Sequence, residues 1–417
     1  MFPQKNLFAL CLACVSGLLH AGSPYQPEIG TASSDGTAGA ANPTNTYDSS
    51  ALRTNPAGLV RIEGGESLFV GGQILSGVMR FKSDVAEAGG EDSGNVAPFE
   101  LIPSVFYSRE VNEDWHVGVG LAPAYGLGAE YGDNFVGRYL TITSSLAGAG
   151  LYSSVGYQIN EEWAIGLSAA AIYTSLELSR AVSSTPGAPS LATDGKVTFD
   201  EIDGWAPQGT LGILYTPMDS PWTVGLVYRS KTEVDLKGDL KVENLPFPSG
   251  TGRVSFDMPE SYEIGLAYQY SDKLRLFFEA DLQRWTQFSN YSVDMGMGSV
   301  AYNRNWRDSY RVAVAAEYQL APRSAVFVGT SYDMGPVTDR YRTFDAPTDG
   351  QIRFSGSYVY RGEGFDCSLG LSVIRSDEGK IDQTVEVTPG SGSFARVKGE
   401  FSTYYILFAL ASVEYRF

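Results

Sequence analysis

The chain ends FSTYYILFALASVEYRF, residues 401–417, and the reading of this stretch decides the fold. Tyr405, Leu407, Ala409, Ala411, Val413, Tyr415 and Phe417 take every second position. Their face is apolar from end to end. The other face carries Tyr404, Ile406, Phe408 and Leu410, then Ser412, Glu414 and Arg416, so it is apolar in its upper part and polar in its lower part. A period of two is the mark of a strand with two unlike faces.

The same period recurs upstream. Trp115, Val117, Val119 and Leu121 alternate with His116, Gly118, Gly120 and Ala122. Sets beginning at Trp163, Trp222, Leu274, Tyr310 and Phe365 repeat the pattern. Many carry an aromatic at one end, where an interfacial girdle would lie. Tight turns precede several of these runs: Asn112-Glu113-Asp114, Asn160-Glu161-Glu162, Asp219-Ser220-Pro221, Ser271-Asp272-Lys273 and Ala321-Pro322-Arg323. Between the turns lie longer connections rich in Gly and Pro, such as Val182 to Lys196 and Asn244 to Gly252. Short turns at one end and long loops at the other distinguish a transmembrane antiparallel β-barrel from a soluble sandwich. From Ser67 to Phe417, at about 25 residues per strand and connection, the expectation is about fourteen strands, an even number as bacterial barrels require.

Composition agrees. Of 417 residues, 43% are hydrophobic and only 19% charged, with Tyr 25, Phe 21 and Gly 47, a mix that suits strands and turns. A formal net charge of −18 repels phosphate backbones, so no nucleic-acid partner is expected. Two His and three Cys leave no material for a His-rich metal site, a Cys zinc site or a disulfide framework. No metal, cofactor or catalytic residue is expected; Ser-His hydrolysis would rest on His116 alone. Glu87, Glu91 and Asp92 read as a solvated loop.

At the other terminus Lys5 supplies a basic n-region and Leu7 to Leu19 an apolar h-region, with cleavage expected after Ala21. Residues 1–21 therefore read as a secretory signal peptide, too short to span a bilayer. No later stretch offers the ~18 consecutive apolar residues of a spanning helix. Residues 22–62 are rich in Gly, Ala, Ser, Thr and Asn without a sustained period, and read as a plug or a leader. The barrel is then 63–417. The alternating aromatics before Phe417 resemble the signal that outer-membrane assembly machinery reads.

Four motifs, in order, carry a family resemblance. Gly36-Thr37-Ala38-Gly39-Ala40-Ala41 leads to Asn55-Pro56-Ala57-Gly58-Leu59. Tyr125-Gly126-Leu127 is followed by Tyr131-Gly132-Asp133-Asn134-Phe135-Val136-Gly137-Arg138-Tyr139. Met258-Pro259-Glu260-Ser261-Tyr262 opens a strand, and Asp281-Leu282-Gln283-Arg284-Trp285-Thr286-Gln287-Phe288 ends one. Together they resemble the FadL-type outer-membrane transporters of long-chain fatty acids, with aromatic-hydrocarbon transporters as relatives. The resemblance implies a monomeric fourteen-strand barrel in the outer membrane of a Gram-negative-type bacterium, in contact with outer-membrane lipid and lipopolysaccharide and closed by residues 22–62 as a hatch. Its ligands are hydrophobic small molecules, fatty acids first, captured at extracellular loops and released sideways into the bilayer. It places the third strand's bend at Gly126, between Tyr125 and Leu127, and the hatch tie at Asn55, Pro56 and Ala57. Arg138 and Tyr139 would guide a carboxylate or pin their loop. His116, Ile406, Phe408 and Leu410 would line the lumen. An aromatic-hydrocarbon channel and a general porin are the alternatives. The connection after Ala181 is shorter than the family's helix-bearing loop, which leaves the substrate open.

Overall fold

The computed structural model describes residues 28–417 except Pro186, Phe247, Met297, Gly298, Thr348 and Pro389. The expected signal peptide lies outside the described residues. The strands are β1 (Glu66–Ala86), β2 (Glu100–Asn112), β3 (Trp115–Glu130), β4 (Thr143–Gln158), β5 (Trp163–Ser183) and β6 (Asp194–Tyr215). Then follow β7 (Trp222–Arg229), β8 (Thr232–Glu243), β9 (Gly250–Met258), β10 (Ser261–Ser271), β11 (Leu274–Gln283), β12 (Asn290–Asp294) and β13 (Ser299–Asn303). The last are β14 (Ser309–Ala321), β15 (Ser324–Asp333), β16 (Gln351–Arg361), β17 (Phe365–Ser376), β18 (Lys380–Thr388) and β19 (Ser393–Arg416).

All nineteen belong to one antiparallel sheet. It closes because β1 pairs with β2 on one side and with β19 on the other, from Ser67 opposite Arg416 to Ala86 opposite Val397. Closure leaves no open edge, which a β-structure needs in lipid. The sheet is divided into nineteen segments, where about fourteen strands were expected. Five antiparallel runs are each broken in two: β7/β8, β9/β10, β11/β12, β13/β14 and β17/β18. At β9/β10 the break falls on Pro259-Glu260, where proline cannot donate to the ladder. At β11/β12 it is a 3-10 turn, Trp285–Ser289.

The outward face is the apolar one. Leu369 and Leu371 are 64% and 60% exposed, while Ser368 and Ser372 beside them turn inward. Beside the tight turns, aromatics pair across strands. The rings of Trp115 and Tyr157, Trp163 and Tyr215, and Trp222 and Tyr268 lie 4.5, 4.2 and 4.5 Å apart. Such pairs form an interfacial belt at that end.

Residues 28–62 contain two short helices, α1 (Ala32–Asp35) and α2 (Ala51–Thr54), and 3-10 turns. Thr31 caps α1 by accepting from Ser34 N. From Glu28 to Leu59 every residue is buried except Thr46 and Tyr47. The segment sits inside the barrel and touches strands on all sides. A Cβ at Gly166 would overlap the Pro56–Ala57 backbone, and one at Gly212 would overlap the Asn55 side chain. Only glycine lets the wall approach this closely.

Candidate functional site: the barrel lumen and the β2–β3 seam

In the lower lumen the buried segment meets the wall through charge. Arg311, on β14, places Nη1 2.7 Å from Glu279 Oε2 and Nη2 2.8 Å from Glu28 Oε1. Arg353, on β16, lies 3.0 Å from the other oxygen of Glu28 and pairs with Asp35. Gln73 donates to Asp35 at 2.9 Å and Ser372 at 3.1 Å. All of these groups are buried. Burial pushes the Glu28 carboxyl up, but Arg353 and Arg311 outweigh it and hold it below its ordinary value. Burial raises that of Asp35 despite Arg353. Elsewhere Ser49 N donates to Glu414 at 3.0 Å and Tyr47 donates to Glu317 at 2.6 Å.

Asn55 ties the segment to the wall. Its Nδ2 donates to Pro43 O at 2.6 Å and to Ile213 O of β6 at 3.1 Å, while its Oδ1 accepts from Ala57 N. Pro56 and Ala57 lie against β5. His116 is inward and buried, 3.9 Å from Glu110. Ile406, Phe408 and Leu410 are inward too, each at most 3% exposed. Ile406 and Phe408 pack with Leu75, Phe81 and Phe401, and the Arg353 guanidinium stands 4.7 Å over the Phe408 ring.

In the upper lumen the packing is apolar. A cavity of about 30 Å³ is lined by Leu127, Leu146, Leu176, Leu178, Phe256, Phe288, Tyr291 and Trp306. Phe288 and Trp306 stack at 4.6 Å. Arg304, 4.6 Å from the Tyr291 ring, is also on the lining and is ion-paired with Asp345. The rings of Phe256, Phe288, Tyr291 and Trp306 meet the leucines of β3, β4 and β5 here, a meeting that strand periodicity alone does not reveal.

β3 changes character along its length. Up to Gly118 its burial alternates; from Ala122 to Ala129 every residue is buried. It pairs with β4 throughout, but with β2 only as far as Val105 opposite Leu121. β2 itself continues against β1 to Glu100. The wall therefore has a seam between β2 and β3 where no ladder runs. The irregularity in β3 is a register shift between Pro123 and Tyr125. Gly126, where the family resemblance places the bend, lies two residues past this bulge at Ala124, pairs with Ala147 and stands in the stretch that has no β2 partner. The Tyr125 hydroxyl bonds Thr174 on β5, and its ring lies against Gly148. Leu127, just past the bulge, lines the cavity.

Arg138 and Tyr139 are buried in the loop after β3. Arg138 pairs with Asp194 at 2.9 Å and donates to the carbonyls of Gly89 at 2.8 Å and Ala88 at 3.0 Å. Tyr139 donates to Asp194 at 2.6 Å, and burial together with that bond pushes its phenol up to about 12. These contacts pin the loop. The described residues between β5 and β6 form no helix.

A closed antiparallel barrel with an outward apolar band, an aromatic belt and a filled lumen is a bacterial outer-membrane barrel. Residues 12–417 match the profile described as outer membrane protein transport protein (OMPP1/FadL/TodX), and the chain belongs to that family. It is 24% identical over 321 residues to a long-chain fatty acid transport protein of Salmonella typhi, covering 70% of this chain and 74% of that one. Outer membrane protein P1 of Haemophilus influenzae is 20% identical over 401 residues, 86% of each chain. Among solved structures, a Pseudomonas aeruginosa FadL homologue superposes with a TM-score of 0.84 at 18% identity, covering 95% of this chain and all of that one. The Ralstonia pickettii toluene transporter TbuX gives 0.66 at 20%, covering 89% and 94%. The protein is an outer-membrane transporter for hydrophobic compounds.

Proposed function

We propose that the protein takes up long-chain fatty acids by capture at the loops, entry into the upper lumen as the apolar packing around the small cavity opens to admit the chain, and lateral release through the β2–β3 seam. Residues 28–62 act as the hatch that denies a straight path through the lumen. The observation that carries this reading is Leu127, which lines the cavity and stands on the part of β3 that has left β2. A ligand in the cavity is therefore next to the seam. The fatty-acid reading is supported by the likeness to the long-chain fatty acid transport protein of Salmonella typhi. Arg304 supports a second reading, uptake of uncharged hydrocarbons. It is tied to Asp345, so the cavity presents an ion pair rather than a bare cation to a carboxylate.

The test is equilibrium binding of radiolabelled oleate and of toluene to the detergent-solubilised protein, beside Leu127→Trp. The larger ring fills the cavity, so binding of whichever ligand is the substrate should fall about tenfold or more, the loss expected when an overpacked site must distort to admit it. Unchanged binding in a folded variant would remove the cavity from the path.

A further inference from the structure

β2 carries Pro103 and β3 carries Pro123. In an antiparallel ladder the N–H and C=O of one residue point to the same neighbour, and successive residues alternate between neighbours. Glu110 N donates to Gly65 O, so the even-numbered residues of β2 face β1 and the odd-numbered face β3. Gln158 N donates to Asp114 O, so the even-numbered residues of β3 before its bulge face β4 and the odd-numbered face β2. Val105 and Leu121 thus form the last hydrogen-bonded rung of the β2–β3 ladder. Continuing the register by two residues on each strand brings Pro103 opposite Pro123.

That rung needs two N–H donors and has neither, because both of its residues are proline. One proline would leave one hydrogen bond; two facing prolines leave none. The bulge at Ala124 then reverses the parity of β3. Tyr125 faces β4, opposite Gly148, and the backbone groups of Gly126 turn toward β2. We infer that the facing pair Pro103–Pro123 is the stop that keeps this seam unzipped, making the two prolines positioning residues for release. The inference rests on the lateral-release reading. It also gives Gly126 a different part: its peptide edge borders the opening that the prolines create.

The experiment is Pro103→Val with Pro123→Val in the full chain, which restores both donors. Amide exchange across residues 101–105 and 121–127, read by mass spectrometry on the solubilised protein, should slow roughly tenfold or more, the factor two net hydrogen bonds carry. Uptake of radiolabelled oleate and of toluene by cells should fall at least about fivefold while binding to the purified protein is kept, because a zipped ladder blocks exit and leaves the cavity intact. Unchanged exchange in the assembled double variant overturns the proline stop, whatever uptake does. Slowed exchange with wild-type uptake overturns release at this seam. If the double variant fails to assemble, each single replacement restores one donor and should give intermediate protection and intermediate uptake. Protection in neither overturns the inference.

Discussion

Where residues 28–62 fill the lumen, the wall meets them with guanidinium and carboxylate groups; where β3 leaves the wall, the lumen is walled by leucines and rings. Arg311 and Arg353 hold Glu28 and Asp35 in one arrangement, because a buried charge displaced from its partner is left uncompensated. The apolar residues of the cavity have no such obligation. Leu127, Leu176 and Phe288 can exchange neighbours at little cost, since apolar packing tolerates rearrangement that conserves volume. Charge builds the part that must hold its place, and apolar packing builds the part that must let something through.

The hardest test of this contrast removes one side of it. Deleting residues 28–62 takes away the segment buried inside the barrel. Planar-bilayer recording should show little steady current from the intact protein and a large stable one from the deletion. A porin-like current in the intact chain would contradict a filled lumen.

Next comes the latch itself. Arg353→Met should loosen the buried segment by about 3–5 kcal/mol, the cost of breaking a buried pair by removing one partner. Asp35→Asn added to that variant should recover part of the loss, since it deletes a charge that had become uncompensated. Protease sensitivity of residues 28–62 in the solubilised protein reads both. Equal sensitivity of the single variant and the parent would mean the charges do not hold the segment.

Most of the wall was legible in the sequence, for a physical reason. Lipid outside and a polar or packed lumen inside impose alternation at every strand, so β3, β5, β7, β11 and β17 begin where the pattern places them, at Trp115, Trp163, Trp222, Leu274 and Phe365. The lumen was legible only in part. Inwardness of Ile406, Phe408 and Leu410 follows from period two, but their neighbours do not. Glu28, Asp35, Arg311 and Arg353 are joined by barrel closure, which couples residues about 300 apart. What stops the ladder was not legible, for a subtler reason. Gly126 draws the eye because glycine permits a break, yet the ladder stops on the two prolines, and their opposition appears only once the register is known. Arg138 reads equally as a ligand for carboxylate or a loop pin until its partners are seen to be Asp194 and two carbonyls.

The smallest effect expected, and the most discriminating one for substrate, is at Asp345. Burial pushes the Asp345 carboxyl up, but Arg304 outweighs it and holds it below its ordinary value, so the pair stays charged through neutral and mildly acid pH. Asp345→Asn keeps the shape and one acceptor oxygen and removes the charge. Arg304, still framed by Tyr291, Phe288 and Trp306, then lacks a counter-ion beside an apolar cavity. A ligand carboxylate can supply one. Oleate should bind about tenfold more tightly, in line with the ~1.5–3 kcal/mol of a charged hydrogen bond. Toluene has no charge to offer and should bind within about twofold of the parent, since its apolar contacts are untouched. Because the pair is largely removed from water, added salt should erode the gain only slightly. If oleate affinity does not move while the protein folds normally, the carboxylate end of a fatty acid does not sit beside Arg304, and the cavity reads as a hydrocarbon pocket alone.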